Sequence, residues 1–143
     1  MTDIPQGYTA LFRTSPFLDL VGPFYQREEG EGLVVALRIE ARHANARGTA
    51  HGGLLVTTAD VALGYNAAYL GLEKGAGAAL ITANLSVDFA GSAKVGDWVE
   101  ARVDVQRVGA RLAFANAYLY VGERRIARAS AVFAVAPLET APG

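Results

Sequence analysis

"LLVTTADVALGYNAAYLGL", residues 54–72, is the stretch on which the fold turns. It alternates too little for a strand and is too long for one, so it reads as a helix. The helix is apolar nearly all round, and such a helix needs cover on most of its sides. Asp60 and Asn66 interrupt the run, which argues against a membrane span.

The segments on either side supply the cover. Before the helix, "GLVVALRIEA" (32–41) alternates as a strand, with Leu33, Val35, Leu37 and Ile39 on one face and Arg38 and Glu40 on the other. Four strands follow it. "ALITANLSVDF" (79–89) sets Ile81, Ala83, Leu85, Val87 and Phe89 against Thr82, Asn84, Ser86 and Asp88. "WVEARVDVQ" (98–106) alternates more cleanly still. "RLAFANAYLYV" (111–121) is apolar on both faces, as a central strand or an interface strand would be. "RRIARASAVFAV" (124–135) comes last, after the turn residues Gly122 and Glu123. One helix cannot cover a large flat sheet. A curved antiparallel sheet wrapped around one long central helix satisfies both patterns, an α+β arrangement. Its outer face then calls for a partner subunit.

At the N-terminus, "PQGYTALF" (5–12) and "SPFLDLVG" (15–22) suggest two short helical turns, so residues 5–21 read as a helical segment. Ser15 can cap the second turn, and Pro16 suits its first position. "EKGAGAAL" (73–80) reads as the turn from helix to strand, and the tail over 137–143 as frayed. Without repeats or linkers, residues 1–143 are expected to form a single domain.

Composition narrows the chemistry. A net charge of -1 with no basic block makes nucleic acid and anionic membranes poor partners. The absence of cysteine removes disulfides, thiolate metal sites and a cysteine nucleophile. "MTDIPQGYTALF" does not read as a signal peptide, so a cytoplasmic protein is the default. There is no nucleophile elbow and no phosphate loop. His43, His51 and Asp60 do not match a metal-ligand spacing, so neither a metal nor another cofactor is expected.

The acid of the buried helix and the turn before it remain. Asp60 has Val56, Thr57, Leu63 and Gly64 as its helix-face neighbours, and no Lys or Arg occurs between Arg47 and Lys74. Such a carboxylate either finds donors, with Thr57 or a neighbouring backbone as the plain solution, or does chemistry. "HGG" (51–53) brings the N–H groups of Gly52, Gly53 and Leu54 to the helix start, where they lack intrahelical partners. They form either an oxyanion hole or a simple tight turn. Gly53 and Asp60 are seven residues apart, roughly 10 Å along a helix, so one copy cannot bring both to one reacting centre. If both act, the site spans two subunits.

The joint spacing of "HANARGTAHGGLLVTTAD" (43–60) resembles the signature of hot-dog fold acyl-CoA thioesterases, in the PaaI-like branch of the 4-hydroxybenzoyl-CoA thioesterase superfamily. The matching residues are Asn45, Gly48, His51, Gly52, Gly53 and Asp60, and the resemblance runs from about Gly32 to Val135. It implies a homodimer with sites across the interface, often paired again into a homotetramer. It also implies hydrolysis of an acyl-CoA to free acid and coenzyme A. By the same resemblance Asp60 activates water or attacks the carbonyl. Asn45 and Gly52 polarise the thioester oxygen, His51 orients the loop, and Thr82 helps hold the water. Gly53 and Phe89 border the substrate, while Arg107, helped by Arg111, meets the coenzyme A phosphates. The chain departs from relatives in "GSAKVGD" (91–97), where many carry a proline, and at Phe89, where some carry tyrosine. A non-catalytic acyl-CoA binding module and an acyl-thioester dehydratase or hydratase are the alternatives.

Overall fold

The computed structural model describes residues 3–73 and 78–137. Helix α2 (Gly52–Glu73) runs along the inner face of a sheet ordered β1-β2-β3-β5-β6-β7-β4. The strands are β1 (Thr9–Ala10), β2 (Tyr25–Glu29), β3 (Gly32–Arg38), β4 (Ala78–Phe89), β5 (Trp98–Val108), β6 (Leu112–Val121) and β7 (Arg124–Pro137). Every neighbouring pair is antiparallel. This is the wrapped-sheet architecture expected from the sequence, with β6 interior to the sheet as its doubly apolar pattern suggested. The glycine-rich stretch 74–77 and the tail beyond 137 lie outside the described residues.

Small side chains make the wrapping work. On β6, Ala113, Ala115 and Ala117 are buried, and on β7 Ala127, Ala129 and Ala131 are buried. An alanine face lets the helix lie close to the sheet, and Leu37, Leu63, Leu119, Ile126 and Phe133 close the core around it. Among the described residues two polar residues of α2 are buried: Thr58, whose hydroxyl donates back to the Leu54 carbonyl at 2.9 Å, and Asn66. Asn66 Nδ2 donates to the carbonyl of Leu33 at 2.9 Å, and its Oδ1 accepts from the N–H of Leu33 at 2.8 Å. β3 pairs with β5 only from Val35 onward, so Asn66 supplies the partner that the ladder lacks at Leu33. Gly32 must be small, because a Cβ there would sit 2.6 Å from Asn66 Oδ1.

The N-terminal third differs from the sequence expectation. Pro16–Val21 is helix α1, with Ser15 Oγ accepting from Leu18 N–H at 3.3 Å, as the cap reading required. The segment before it is not helical: Gly7, at φ +92°, ends a turn, and Thr9–Ala10 pairs with β2. Strand β2 escaped the periodicity reading because "YQREE" is mostly charged. Its signal was Gly30, at φ +61°, the first residue of a two-residue hairpin loop. This layer also buries Val34 and Ala36, so β3 is covered on both faces. Tyr8, Tyr25 and Trp98 pack over those two residues on the outer side of the sheet. The Tyr8 hydroxyl donates to Glu100, and burial followed by that carboxylate pushes its pKa well above the ordinary 10.0.

A second correction concerns β4. Its register against β7 shifts between Thr82 and Asn84, leaving Ala83 as a bulge. A bulge inverts the alternation. Leu80 and Thr82 therefore face inward before it, Leu85 and Val87 face inward after it, and Ile81 is turned out to solvent.

Replacing Asn66 by Ala or by Leu leaves both polar groups of Leu33 buried without partners. Each variant should lose about 2–4 kcal/mol, read as a lower denaturant midpoint. The Leu variant refills the volume, so its equal loss would assign the effect to hydrogen bonds rather than to a cavity.

Candidate active site

The loop before α2 is built by local hydrogen bonds. Asn45 Oδ1 accepts from the N–H groups of Arg47 (2.9 Å) and Thr49 (3.2 Å), and its Nδ2 donates to Thr49 Oγ1 at 3.0 Å. Gly48, at φ +81°, turns the chain back so that Asn45 N–H reaches the carbonyl of Thr49 at 2.7 Å. The Asn45 and Gly48 spacing thus forms one tight turn, and the carboxamide retains a second N–H.

His51 is the N-cap of α2. Its carbonyl accepts from Leu54 N–H at 3.0 Å, and its Nδ1 accepts from Gly53 N–H at 2.9 Å. That occupies two of the three donors expected at the helix start. Gly52 N–H has no protein partner among the described residues. The exposed ring of Phe89 borders it, 3.5 Å from where a Gly52 Cβ would stand.

The other histidine is structural. His43 is buried, with Nδ1 accepting from Glu40 N–H at 2.9 Å and Nε2 facing the Val21 carbonyl at 2.6 Å. Both nitrogens are engaged, so it cannot ligate a metal in this conformation. Among the described residues no group of three or more His, Asp or Glu side chains is placed to hold one.

Asp60 lies on the half-covered side of α2, at a cavity of about 330 Å³. Thr57 does not satisfy it, because its hydroxyl donates back to the Gly53 carbonyl at 3.0 Å. The donor is Thr82, whose Oγ1 lies 3.0 Å from Asp60 Oδ1. The bulge at Ala83 sets this contact, since it puts Thr82 in phase with Leu80 on the helix side. Among the described residues Oδ2 accepts no hydrogen bond, so it is open to a water or a substrate atom. Val61, Tyr65, Leu80 and Phe133 give the cavity an apolar wall, and Arg13 reaches it from the loop before α1. Nothing in the sequence around Arg13 signalled this position.

One copy therefore joins Asp60 with Thr82, and separately groups His51, Gly52, Gly53 and Phe89 at the helix start, with Asn45 in the turn that leads into it. It does not join the two groups: eight residues separate Gly52 from Asp60, about 12 Å along the helix. Arg107 is exposed and borders a concavity of about 470 Å³ with Gln106, Phe114, Asn116 and Ser130, on the side of the sheet away from α2. Arg111 is exposed in the turn between β5 and β6.

The thioesterase superfamily model matches residues 47–127, which include the helix start, Asp60 and Thr82. A protein of Pseudomonas aeruginosa provisionally named an esterase is 50% identical over 134 residues, covering 93% of this chain and 98% of that one. The chain belongs to the thioesterase superfamily. Solved structures agree on the hot-dog fold. An asparagine-to-aspartate variant of the phenylacetic acid degradation protein PaaI from Thermus thermophilus matches at TM-score 0.72 and 24% identity, over 87% of this chain and all 100% of that one. A hypothetical thioesterase of Streptococcus pneumoniae, solved with coenzyme A, matches at TM-score 0.69 and 20% identity, over 78% of this chain and 87% of that one.

Replacing His51 by Ala removes the acceptor of the Gly53 N–H. It should cost about 1 kcal/mol and speed amide exchange at Gly53. An Asn at this position restores a capping acceptor and most of the loss.

Proposed function

We propose that the protein hydrolyses acyl-CoA thioesters to free acid and coenzyme A, at sites shared between two copies of the chain. The observation that carries this reading is Asp60 at the mouth of a partly apolar cavity. One of its carboxylate oxygens is held by Thr82 and the other is unengaged. Asp60 is the general base. It takes a proton from water as the water oxygen adds to the thioester carbonyl. The resulting oxyanion collapses, the carbon–sulfur bond breaks, and the leaving thiolate receives the proton. Thr82 is a positioning residue that fixes which carboxylate oxygen faces the water.

The oxyanion is held by Gly52 N–H, at the positive end of the helix dipole, and by the remaining N–H of Asn45. These come from the second copy. On α2, Val56, Thr57, Asp60 and Gly64 form a half-open stripe that widens to Tyr65, Ala68 and Tyr69, whereas Leu55, Thr58, Ala59, Ala62 and Leu63 are buried. A second helix lying antiparallel across that stripe brings its own start against Asp60. His51 and Gly53 keep that helix start rigid, and Phe89 borders it. Arg107 and Arg111 meet the coenzyme A phosphates, for which the guanidinium fork is suited. Outward-facing Ile81 and Phe114 suit a second association of dimers into a tetramer.

Asp60→Asn should lower kcat for acyl-CoA hydrolysis by about 10²–10⁴-fold and leave the melting midpoint nearly unchanged. Thiol release is a clean readout, because the chain has no cysteine of its own. An unchanged rate would overturn the assignment. Crotonyl-CoA tests the reaction type, since hydration consumes the double bond without releasing thiol.

A further inference from the structure

The cavity that holds Asp60 also holds a cation that hydrolysis does not use. Arg13 lines it together with Asp60, Tyr65, Leu80, Thr82 and Phe133, and among the lining residues Arg13 and Asp60 carry the only charges. Arg13 forms no salt bridge among the described residues. Its segment is nevertheless held in place. Leu11 N–H donates to the Phe24 carbonyl at 3.1 Å, Phe12 N–H to Gln26 Oε1 at 2.7 Å, and Thr14 Oγ1 to Asp19 Oδ1 at 2.5 Å. The Phe12 ring packs on Tyr65 with centroids 5.3 Å apart, and the Arg13 guanidinium carbon lies 5.8 Å from the Phe12 centroid. These contacts keep the exposed Arg13 at the rim of the cavity that Tyr65 and Asp60 also line.

Two further features define what such a cation can receive. The Tyr65 hydroxyl has no hydrogen-bond partner among the described residues. Burial pushes its pKa up while the charge of Arg13 acts against that rise, so the two groups sense one another. Tyr65 stands five residues beyond Asp60, roughly 7.5 Å along the helix, with the apolar side chains of Val61, Leu80 and Phe133 between and around them. The coenzyme A phosphates are the wrong occupant, because a whole pantetheine arm separates them from the thioester. Arg13 shares its cavity with the acid at the reacting carbon.

We propose that Arg13, with the Tyr65 hydroxyl, receives a carboxylate at the far end of the acyl chain, so that the preferred substrates are coenzyme A thioesters of dicarboxylic acids. The inference rests on the hydrolase reading above. The chain's methylenes lie on the apolar wall, its terminal carboxylate pairs with the guanidinium, and Arg13 offsets the repulsion from Asp60.

The test compares adipoyl-CoA with hexanoyl-CoA, equal in carbon count, in the wild-type protein and in Arg13→Leu and Arg13→Lys variants. The wild type should favour adipoyl-CoA in kcat/KM. Arg13→Leu should lower the adipoyl-to-hexanoyl ratio by about 10–100-fold, and Arg13→Lys should fall between. The same shift should persist when N-acetylcysteamine replaces coenzyme A as the thiol. A ratio that does not respond to Arg13 overturns the inference while leaving the hydrolase intact. A loss seen with both acyl groups on coenzyme A but on neither N-acetylcysteamine thioester would reassign Arg13 to the phosphates. If neither thioester releases thiol while another acyl- or aryl-CoA does, this inference falls alone; if no acyl-CoA releases thiol, the hydrolase reading falls and takes this inference with it.

Discussion

Everything in this molecule is arranged around the need to cover α2. A helix of 22 residues that is apolar on nearly every side cannot stand in water, and a single flat sheet would reach only one of its faces. The inner alanines of β6 and β7 let the sheet approach, and the larger side chains of β3 and β7 close over the flanks. Asn66 is admitted to that interior only because Leu33 has an unpaired N–H and carbonyl for it to meet. The wrapping stops at the stripe that carries Asp60. The gap in the cover and the acid coincide.

The site is a product of two local devices. His51 caps α2 and engages Gly53, which leaves the Gly52 N–H without a protein partner among the described residues. The bulge at Ala83 turns Thr82 inward against the alternation that the rest of β4 follows. Without it Ile81 would face Asp60, and the carboxylate would lack a donor. An apolar side chain there would leave a half-buried charge without that donor. The N-terminal segment completes the cavity from the other side. Its aromatic contact with Tyr65 brings in Arg13, a residue distant in sequence from every other member of the site.

Much of this was legible in the chain. The long apolar run, the alternating strands after it and the doubly apolar β6 established the wrapped α+β architecture, because period and length are local properties. "HGG" and the acid that follows seven residues after it identified the helix start and its carboxylate by the same kind of reasoning. β2 and β1 were not legible, since a charged strand carries no apolar period and is held by its ladder to β3 and by the packing of Tyr8 and Tyr25 with Trp98. The orientation of Thr82 was not legible either, because a one-residue bulge leaves composition untouched and inverts every side chain before it.

The sequence by itself determined that one buried helix had to be enclosed by a curved sheet, and it marked the helix start and Asp60, the acid within the apolar run, as the candidates for chemistry. Burial of apolar surface is non-directional, so hydrophobic pattern suffices to choose an architecture. Only the tertiary structure decided which donor meets Asp60, which N–H remains free at the helix start, and which cation enters the cavity. Those are hydrogen bonds and charge contacts between distant segments, effective over a few ångströms and dependent on angle, and no local pattern encodes them.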